Sequence, residues 1–218
     1  MKSEERLRKQ IANHLIKDKI ELKIENFNLI IYPGVFIPNG SSSLIFSHFF
    51  NKFDEKFERV LDMGCGSGII SLLISKYSKE VIAADINPVA VQTTKENAER
   101  NNINNIIVKN SDLFGNISGK FDLILFNPPF MGLKPNTDLE KAFTDNNHET
   151  LIRFFEQVPK HLNKNGKIIL EFANMDGEKL LNNLIKDYSK RQLYEENFKD
   201  FAGVKTHYYI LELTKHTF

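Results

Sequence analysis

An Asn127-Pro128-Pro129-Phe130 run carries the most specific chemistry in this sequence. It follows the apolar stretch 121–126, which predicts a strand leading into the run. Two consecutive prolines fix the backbone φ angles and remove two N–H donors, so the nearby carbonyl groups are free to accept hydrogen bonds. The Asn127 side-chain oxygen and the Pro128 carbonyl can then accept both hydrogens of an NH2 group, while Phe130 covers its flat face. The run predicts a site that acts on a planar nitrogen mainly by positioning it, and a rigid turn is the alternative.

A glycine-rich turn follows another predicted strand, residues 59–63. Gly64, Gly66 and Gly68 are spaced Gly-x-Gly-x-Gly where the pattern changes to a helix. Glycine lets the backbone approach a ligand closely and adopt positive φ angles. The spacing differs from the Gly-x-Gly-x-x-Gly turn that seats a dinucleotide pyrophosphate, which argues against a nicotinamide or flavin cofactor. Cys65, between two of these glycines, is predicted to be a small buried residue and not a nucleophile.

Two carboxylates follow the next two predicted strands. Asp85 closes the strand 81–85, at close to the spacing of about 20 residues expected for a carboxylate that binds both ribose hydroxyls. The alternative for Asp85 is a helix cap for residues 88–100, since aspartate is a good cap. Asp112, in the segment 111–114, can accept a hydrogen bond from an exocyclic amine beside a backbone donor for a ring nitrogen. The alternative for Asp112 is an ordinary turn.

Alternating strands and helices supply the positions of all these residues. Strands are predicted at 59–63, 81–85, 106–109, 121–126, 167–172, 193–198 and 207–213, and helices at 67–77, 88–100, 149–162 and 175–188. This order predicts an α/β fold with a doubly wound, mostly parallel seven-stranded sheet whose last two strands are antiparallel. Ligands of such sheets bind beyond the carboxyl ends of the strands, which is where the four motifs lie.

The amino-terminal residues have a different pattern. Residues 3–17 are predicted to form a helix that acts as a short lid or brace, and residues 19–32 a β-hairpin, because apolar and polar side chains alternate there. We expect an extension over 1–45 and the main domain over 46–218.

Composition narrows the class of protein further. The 218 residues are 41% hydrophobic, which is typical of a globular protein. Their formal net charge is only +1, so the protein has no overall positive field that would attract a nucleic acid backbone. The single cysteine excludes an internal disulfide, and the scattered histidines favour no metal site. The sequence has neither a signal peptide nor an apolar run of membrane-spanning length, so we expect a cytoplasmic protein that binds no membrane.

The glycine turn and the two carboxylates resemble the class I methyltransferases that use S-adenosylmethionine. The resemblance implies that the glycine turn backs the methionine part of the cofactor, that Asp85 holds the ribose and that Asp112 holds the adenine amine. It implies S-adenosylhomocysteine as the product. The cofactor contacts implied are Asp62, Gly64, Cys65, Gly66, Gly68, Asp85, Ile86, Asp112, Leu113 and Asn127.

The Asn-Pro-Pro-Phe run resembles the signature of methyltransferases that act on adenine N6, guanine N2 or a glutamine amide. This resemblance implies catalytic roles for Asn127, Pro128 and Phe130, with Pro129 also contacting the substrate. Outside the motifs, residues 32–214 resemble the HemK-type protein glutamine methyltransferases, which modify release factors or a ribosomal protein. The segments that carry this likeness are 35–38 and 39–45, 142–155, 166–171 and 199–203.

Four departures from the HemK-type pattern bear on the substrate. Residues 39–43 replace a charged run, Phe130 replaces a tyrosine, a glycine pair is missing near 145–147, and the amino-terminal segment is shorter than the usual helical domain. We predict methylation of a glutamine in an exposed protein loop, of a translation factor or ribosomal protein. The alternatives are an RNA methyltransferase, a small-molecule methyltransferase and a non-catalytic cofactor-binding subunit.

Overall fold

A seven-stranded sheet organises the computed structural model, which describes residues 2–38, 41–174, 177–200 and 202–216. Within these residues the strand order is β5-β4-β3-β6-β7-β9-β8. Strands β3 to β7 are parallel, and β9 is antiparallel to both β7 and β8, so the predicted fold class and the predicted antiparallel pair are confirmed. The strands are β3 Phe57–Met63, β4 Ser78–Asp85, β5 Ile106–Asn110, β6 Phe121–Phe126, β7 Leu162–Ala173, β8 Tyr188–Lys199 and β9 Lys205–Lys215.

Helices cover both faces of the sheet. They are α1 Ser3–Ala12, α2 Ser41–Phe50, α3 Ile69–Ser75, α4 Pro88–Arg100, α5 Glu149–Gln157 and α6 Glu178–Leu184. The sheet separates two hydrophobic clusters because strand side chains alternate between its faces: Leu123 and Leu125 join one cluster, and Ile124 and Phe126 join the other. The predicted core role of the phenylalanines in 46–57 is confirmed, since Phe46 and Phe50 are fully buried.

Several predicted helices extended too far. The amino-terminal helix ends at Ala12 instead of residue 17, where the Asn13 side chain donates to the Lys9 carbonyl. The helix predicted over 149–162 ends as α5 at Gln157, and Leu162 already belongs to β7. The helix predicted over 175–188 is wrong at its end, because Tyr188 already begins β8 and packs its ring 5.9 Å from Phe155. Residues 175–176, like 39–40 and 201 of the segments compared above, lie outside the described residues.

The predicted amino-terminal hairpin is confirmed as β1 Ile20–Ile24 and β2 Phe27–Ile31. Asn97 of α4 holds it in place: its Oδ1 accepts the Ile30 N–H at 2.7 Å, and its Nδ2 donates to the carbonyls of Ile30 and Ser67, both at 2.9 Å. Hairpin residues therefore pack in the same cluster as strands of the sheet. The boundary at residue 45 stays a prediction.

Candidate active site

A cavity of about 400 Å³ lies at the carboxyl ends of the parallel strands. Its lining includes most of the residues that the sequence singled out: Gly64, Cys65, Gly66, Asp85, Ile86, Asp112, Leu113, Asn127, Pro128, Pro129 and Phe130. Two predicted contacts, Asp62 and Gly68, are not part of this lining. We call the part formed after β3, β4 and β5 the glycine-loop side, and the part formed by β6, β9 and α1 the Asn127 side.

The glycine turn presents an open backbone to the cavity. Gly64 and Gly66 have φ angles of 73° and 55°, and a side chain built on Gly64 would meet nothing within 4 Å. A ligand can therefore approach this backbone closely. Gly68 has a different role, because a Cβ there would lie 2.9 Å from the Thr94 side chain of α4. Gly68 permits close packing of the turn against α4 and does not face the cavity.

Asp62 lies behind the turn and not in front of it. Its side chain is 1% exposed, and its Oδ2 accepts a hydrogen bond from Ser71 Oγ of α3 at 2.5 Å. Burial raises the pKa of Asp62 to about 7, and the neighbouring charge of Asp85 adds to the shift. The geometry makes Asp62 a brace between β3 and α3, so a direct cofactor contact by Asp62 has no support from its position.

Asp85 is fixed at the end of β4 by two backbone donors. Its Oδ2 accepts the Gly66 N–H and its Oδ1 accepts the Asn87 N–H, both at 2.9 Å. Burial raises its pKa, and these hydrogen bonds oppose the shift. The helix-cap interpretation of Asp85 is wrong, because the Asn87 side chain caps α4 by accepting the Val89 N–H. Cys65 is 4% exposed, as predicted for a small buried residue.

Asp112 has a partner that the sequence analysis missed. Arg153 of α5 donates to its Oδ2 at 2.8 Å, and both side chains are more than a third exposed. The two residues are 41 positions apart, so no local pattern joined them. Leu113, next to Asp112, is 5% exposed and has a φ of 46°, which turns the chain along the cavity wall.

Aromatic rings surround the Asn-Pro-Pro-Phe run. The Phe130 ring lies 6.0 Å from the rings of Phe172 and Tyr208, in edge-on arrangements. Tyr208 reaches the cavity because β9 is antiparallel to β7, which places the start of β9 beside Ala173 at the end of β7. The Asn127 side is therefore a largely aromatic wall beside the two prolines.

Helix α1 covers the Asn127 side. Arg6 and Gln10 both donate to Asp200 Oδ2, at 2.6 and 3.0 Å, and Gln10 and Asp200 both line the cavity. His14 packs its ring 4.4 Å from Phe36 and 4.9 Å from Phe143. These contacts support the brace interpretation of the amino-terminal helix. Neither Gln10 nor Arg6 was predicted to be a site residue, because their partner Asp200 lies far away in the sequence.

The loop after the run adopts two strained positions. Asn147 and His148 have φ angles of 52° and 59°, in the region that favours glycine, near 145–147, where the HemK-type pattern predicted a glycine pair. Asp145 then accepts the N–H groups of Thr150 and Leu151 and so caps α5. His148 is buried, with 8% of its surface exposed, and its side chain makes no cap hydrogen bond to α5.

Two kinds of feature, a metal-binding cluster and a membrane-spanning helix, are absent from the described residues. No group of three or more His, Cys, Asp or Glu side chains in residues 2–38, 41–174, 177–200 and 202–216 could hold a metal ion. Across those same ranges, none of the helices is both long and apolar enough to cross a membrane.

Known proteins provide an independent test of the resemblance. The methyltransferase small domain family matches residues 26–199. A Methanocaldococcus jannaschii protein, whose name carries the provisional assignment of protein N5-glutamine methyltransferase, is 37% identical over 172 residues, which cover 76% of this chain and 85% of the relative. The ribosomal RNA small subunit methyltransferase C of Haemophilus influenzae is 31% identical over 76% of this chain, but the match spans only 48% of that relative.

A solved structure agrees with the fold. The 16S rRNA N2 G1207 methyltransferase of T. thermophilus, in complex with AdoMet and guanosine, superimposes with a TM-score of 0.65 at 20% identity, covering 91% of this chain and 50% of that one. The family match extends over most of the chain and includes the glycine turn, Asp85 and the Asn-Pro-Pro-Phe run. The chain therefore belongs to the methyltransferase small domain family and is an S-adenosylmethionine-dependent methyltransferase.

Proposed function

We propose that the chain methylates a planar amide nitrogen, and that its acceptor is a glutamine side chain in an exposed loop of a protein. The observation that carries the proposal is the Asn127 side of the cavity, where Asn127, Pro128 and Phe130 meet an aromatic wall that α1 covers. Such a pocket fits a flat, narrow group with two N–H hydrogens.

The residues of the run have separate tasks in this proposal. Asn127 Oδ1 and the Pro128 carbonyl accept the two amide hydrogens and so fix the direction of the nitrogen lone pair. Phe130 covers the amide plane and is held by Tyr208 and Phe172. When bound, S-adenosylmethionine supplies an electrophilic methyl group on a positive sulfur. The acceptor nitrogen can lose its proton to solvent late in the methyl transfer, so the enzyme needs no general base. Catalysis then comes mainly from positioning the nitrogen.

The glycine-loop side fits this cofactor. The open face of Gly64 leaves room for its amino acid part, and Asp85 would hold the ribose hydroxyls. Ile86 lines the cavity and is 49% exposed, so it is an apolar surface available to a flat base. Asp112 and Leu113 would contact the adenine edge, with Arg153 beside Asp112.

Charge around the cavity favours a protein acceptor over RNA. Among the described residues, its lining carries two cations, Lys141 and Arg153, and six acidic side chains: Asp85, Asp112, Asp138, Asp145, Glu149 and Asp200. Three of the acids are ion-paired, Asp112 with Arg153, Asp138 with Lys141 and Asp200 with Arg6, so the acidic excess comes from the other three. An RNA backbone needs cations to replace its counterions, so an acidic rim repels it. The match to the M. jannaschii relative, which covers 85% of that protein, agrees with a glutamine acceptor.

The amino-terminal residues that line the cavity bear on how a large substrate docks. Helix α1 and the segment around Phe36 occupy the mouth of the Asn127 side. They would contact the protein loop that carries the glutamine. A loop with small flanking residues fits best under α1.

The test offers three acceptors to the purified enzyme with radiolabelled S-adenosylmethionine: release factors, ribosomal proteins and ribosomal RNA. We expect label in a protein, and mass spectrometry should locate one added methyl on a glutamine. RNA is the second candidate because the H. influenzae relative matches 76% of the chain. Label in RNA alone would overturn the glutamine proposal. An Asn127→Ala enzyme, run in parallel, separates true transfer from a contaminating activity.

A further inference from the structure

Glu171 is a buried carboxyl that the proposed mechanism has not used. It lies on β7, is 0% exposed, and neither of its side-chain oxygens has a hydrogen-bond partner among the residues that the structure describes. Burial raises its pKa well above the usual range, which favours the neutral acid. A buried polar group without a partner destabilises a fold, and such groups are retained chiefly where a site needs them.

The sheet register places Glu171 beside Asn127. Strands β6 and β7 are parallel, and their last paired residues are Phe126 and Leu170. The same register continued one residue past the end of β6 places Asn127 next to Glu171 of β7. The side chains of Asn127 and Glu171 are also expected on the same face of the sheet. Leu125 and Ile169, two residues earlier on each strand, belong to one hydrophobic cluster, and side chains repeat their face every second residue.

The strand on the other side of Glu171 also leads to the acceptor pocket. Its partner on β9 is Ile210, and Tyr208, two residues away on the same strand, lines the cavity and contacts Phe130. Glu171 therefore lies between two strands that both supply residues to the pocket, Asn127 after β6 and Tyr208 on β9.

Asn127 needs such a neighbour. A carboxamide can present either its oxygen or its NH2 group to a substrate, and only the oxygen can accept an N–H hydrogen of the acceptor. An acceptor atom behind the NH2 group selects the productive orientation. A neutral carboxyl provides one in its carbonyl oxygen, without placing a negative charge in the core.

We propose that Glu171 is a positioning residue, whose carboxyl oxygen accepts a hydrogen bond from Asn127 Nδ2 during catalysis and so turns Asn127 Oδ1 toward the methyl acceptor. The inference rests on the proposed function of Asn127, and it adds a residue that does not touch the substrate. It also explains why a carboxyl is kept where leucine or methionine would pack better.

The decisive variants are Glu171→Leu, which removes the acceptor, and Glu171→Gln, which keeps a carbonyl oxygen. We expect Glu171→Leu to unfold at a higher urea concentration than wild type and yet to lose at least tenfold in kcat, with unchanged affinity for S-adenosylhomocysteine. Glu171→Gln should keep kcat within about threefold. A residue of purely structural importance would instead lose stability and activity together.

Glu212 on β9 is the matched control. It is also a buried glutamate, 9% exposed, but it is paired with Lys167 and Arg191. Glu212→Leu should therefore lose stability and keep its kcat. Unchanged kcat in Glu171→Leu would overturn the inference. If that variant does not fold, Glu171→Met, with an unbranched chain of similar length, provides the same comparison.

A second readout does not depend on the identity of the acceptor. In the complex with S-adenosylhomocysteine, the NMR signal of the Asn127 side-chain NH2, assigned by its loss in Asn127→Ala, should shift in Glu171→Leu and stay in place in Glu212→Leu. An unshifted signal would contradict the hydrogen bond. Failure of the glutamine proposal would appear separately, as RNA labelling by the wild-type enzyme, and the Glu171 variants would then be assayed with ribosomal RNA.

Discussion

The two sides of the cavity are held by different kinds of interaction. On the glycine-loop side, backbone hydrogen bonds dominate: Gly64 and Cys65 both donate to the Ala84 carbonyl, and Asp85 accepts from Gly66. On the Asn127 side, packed rings and the side chains of α1 define the walls. A site built from backbone hydrogen bonds keeps its shape when side chains are substituted, whereas a wall built from side chains changes with them. This difference would let enzymes of one family keep the same cofactor and act on different methyl acceptors.

The largest expected effect is on the free energy of unfolding and comes from Asp62, the buried carboxyl behind the glycine turn. The pKa of Asp62 is about 7 in the fold, above the value of about 3.9 for an unfolded aspartate. The folded state therefore binds this proton more tightly, and its contribution to stability is lost as the pH rises from about 4 to about 7. We expect Asp62→Asn to remove this loss, up to ~4 kcal/mol in the free energy of unfolding.

Urea unfolding at several pH values measures the Asp62 effect. The advantage of Asp62→Asn over wild type should grow with pH and become constant above about pH 7. Asp54→Asn, at an exposed position, is the control and should show a flat difference. An advantage of Asp62→Asn that does not vary with pH would show that the pKa of this carboxyl is the same in the folded and the unfolded state.

The next effect concerns the Asn127 side. We expect Asn127→Ala to lower kcat about a hundredfold, because the acceptor nitrogen loses its orientation. Affinity for S-adenosylhomocysteine should stay nearly unchanged, since Asn127 only borders the sulfur. Asn163→Ala, at an exposed asparagine, is the control. A variant with normal kcat would remove positioning by Asn127 from the mechanism.

A somewhat smaller effect is expected from Asp85→Ala. Loss of charge-assisted hydrogen bonds to the ribose, worth roughly 1.5–3 kcal/mol, should weaken S-adenosylhomocysteine about ten- to a hundredfold in calorimetry. Asp112→Ala should weaken it less, because Asp112 is half-exposed and already shared with Arg153. Equal losses in the two variants would contradict the ranking, and an unchanged Kd in Asp85→Ala would exclude Asp85 from the cofactor site.

The smallest effect tests α1. Arg6→Ala removes the ion pair with Asp200, so the cover of the Asn127 side should loosen. We expect the KM of the acceptor to rise about five- to tenfold, or ~1 kcal/mol, with unchanged cofactor affinity. Arg8→Ala, on the exposed face of the same helix, should have no effect. A rise in KM for both variants would point to a general charge effect and not to α1 docking.

These contrasts explain which parts of the protein could be predicted from sequence. The strands, the glycine turn and Asp85 come from local patterns, since a strand followed by glycines is encoded within a few residues. The contacts of Arg6 with Asp200 and of Arg153 with Asp112 join residues 194 and 41 positions apart, and only the tertiary fold determines them. In the segment 178–199 the boundary between helix and strand could not be predicted, because short apolar runs are compatible with both.

Asn97 gives the hairpin an unexpected role. One carboxamide, through all three of its hydrogen bonds, ties Ile30 of β2 to Ser67 in the glycine turn. The hairpin and the turn must therefore open together, because neither can move away without leaving Asn97 buried and unsatisfied. The hydrogen exchange rate of the Ile30 amide therefore reports on the glycine turn. A cofactor that reduces the motion of the turn should slow exchange at Ile30, although the hairpin need not contact the cofactor.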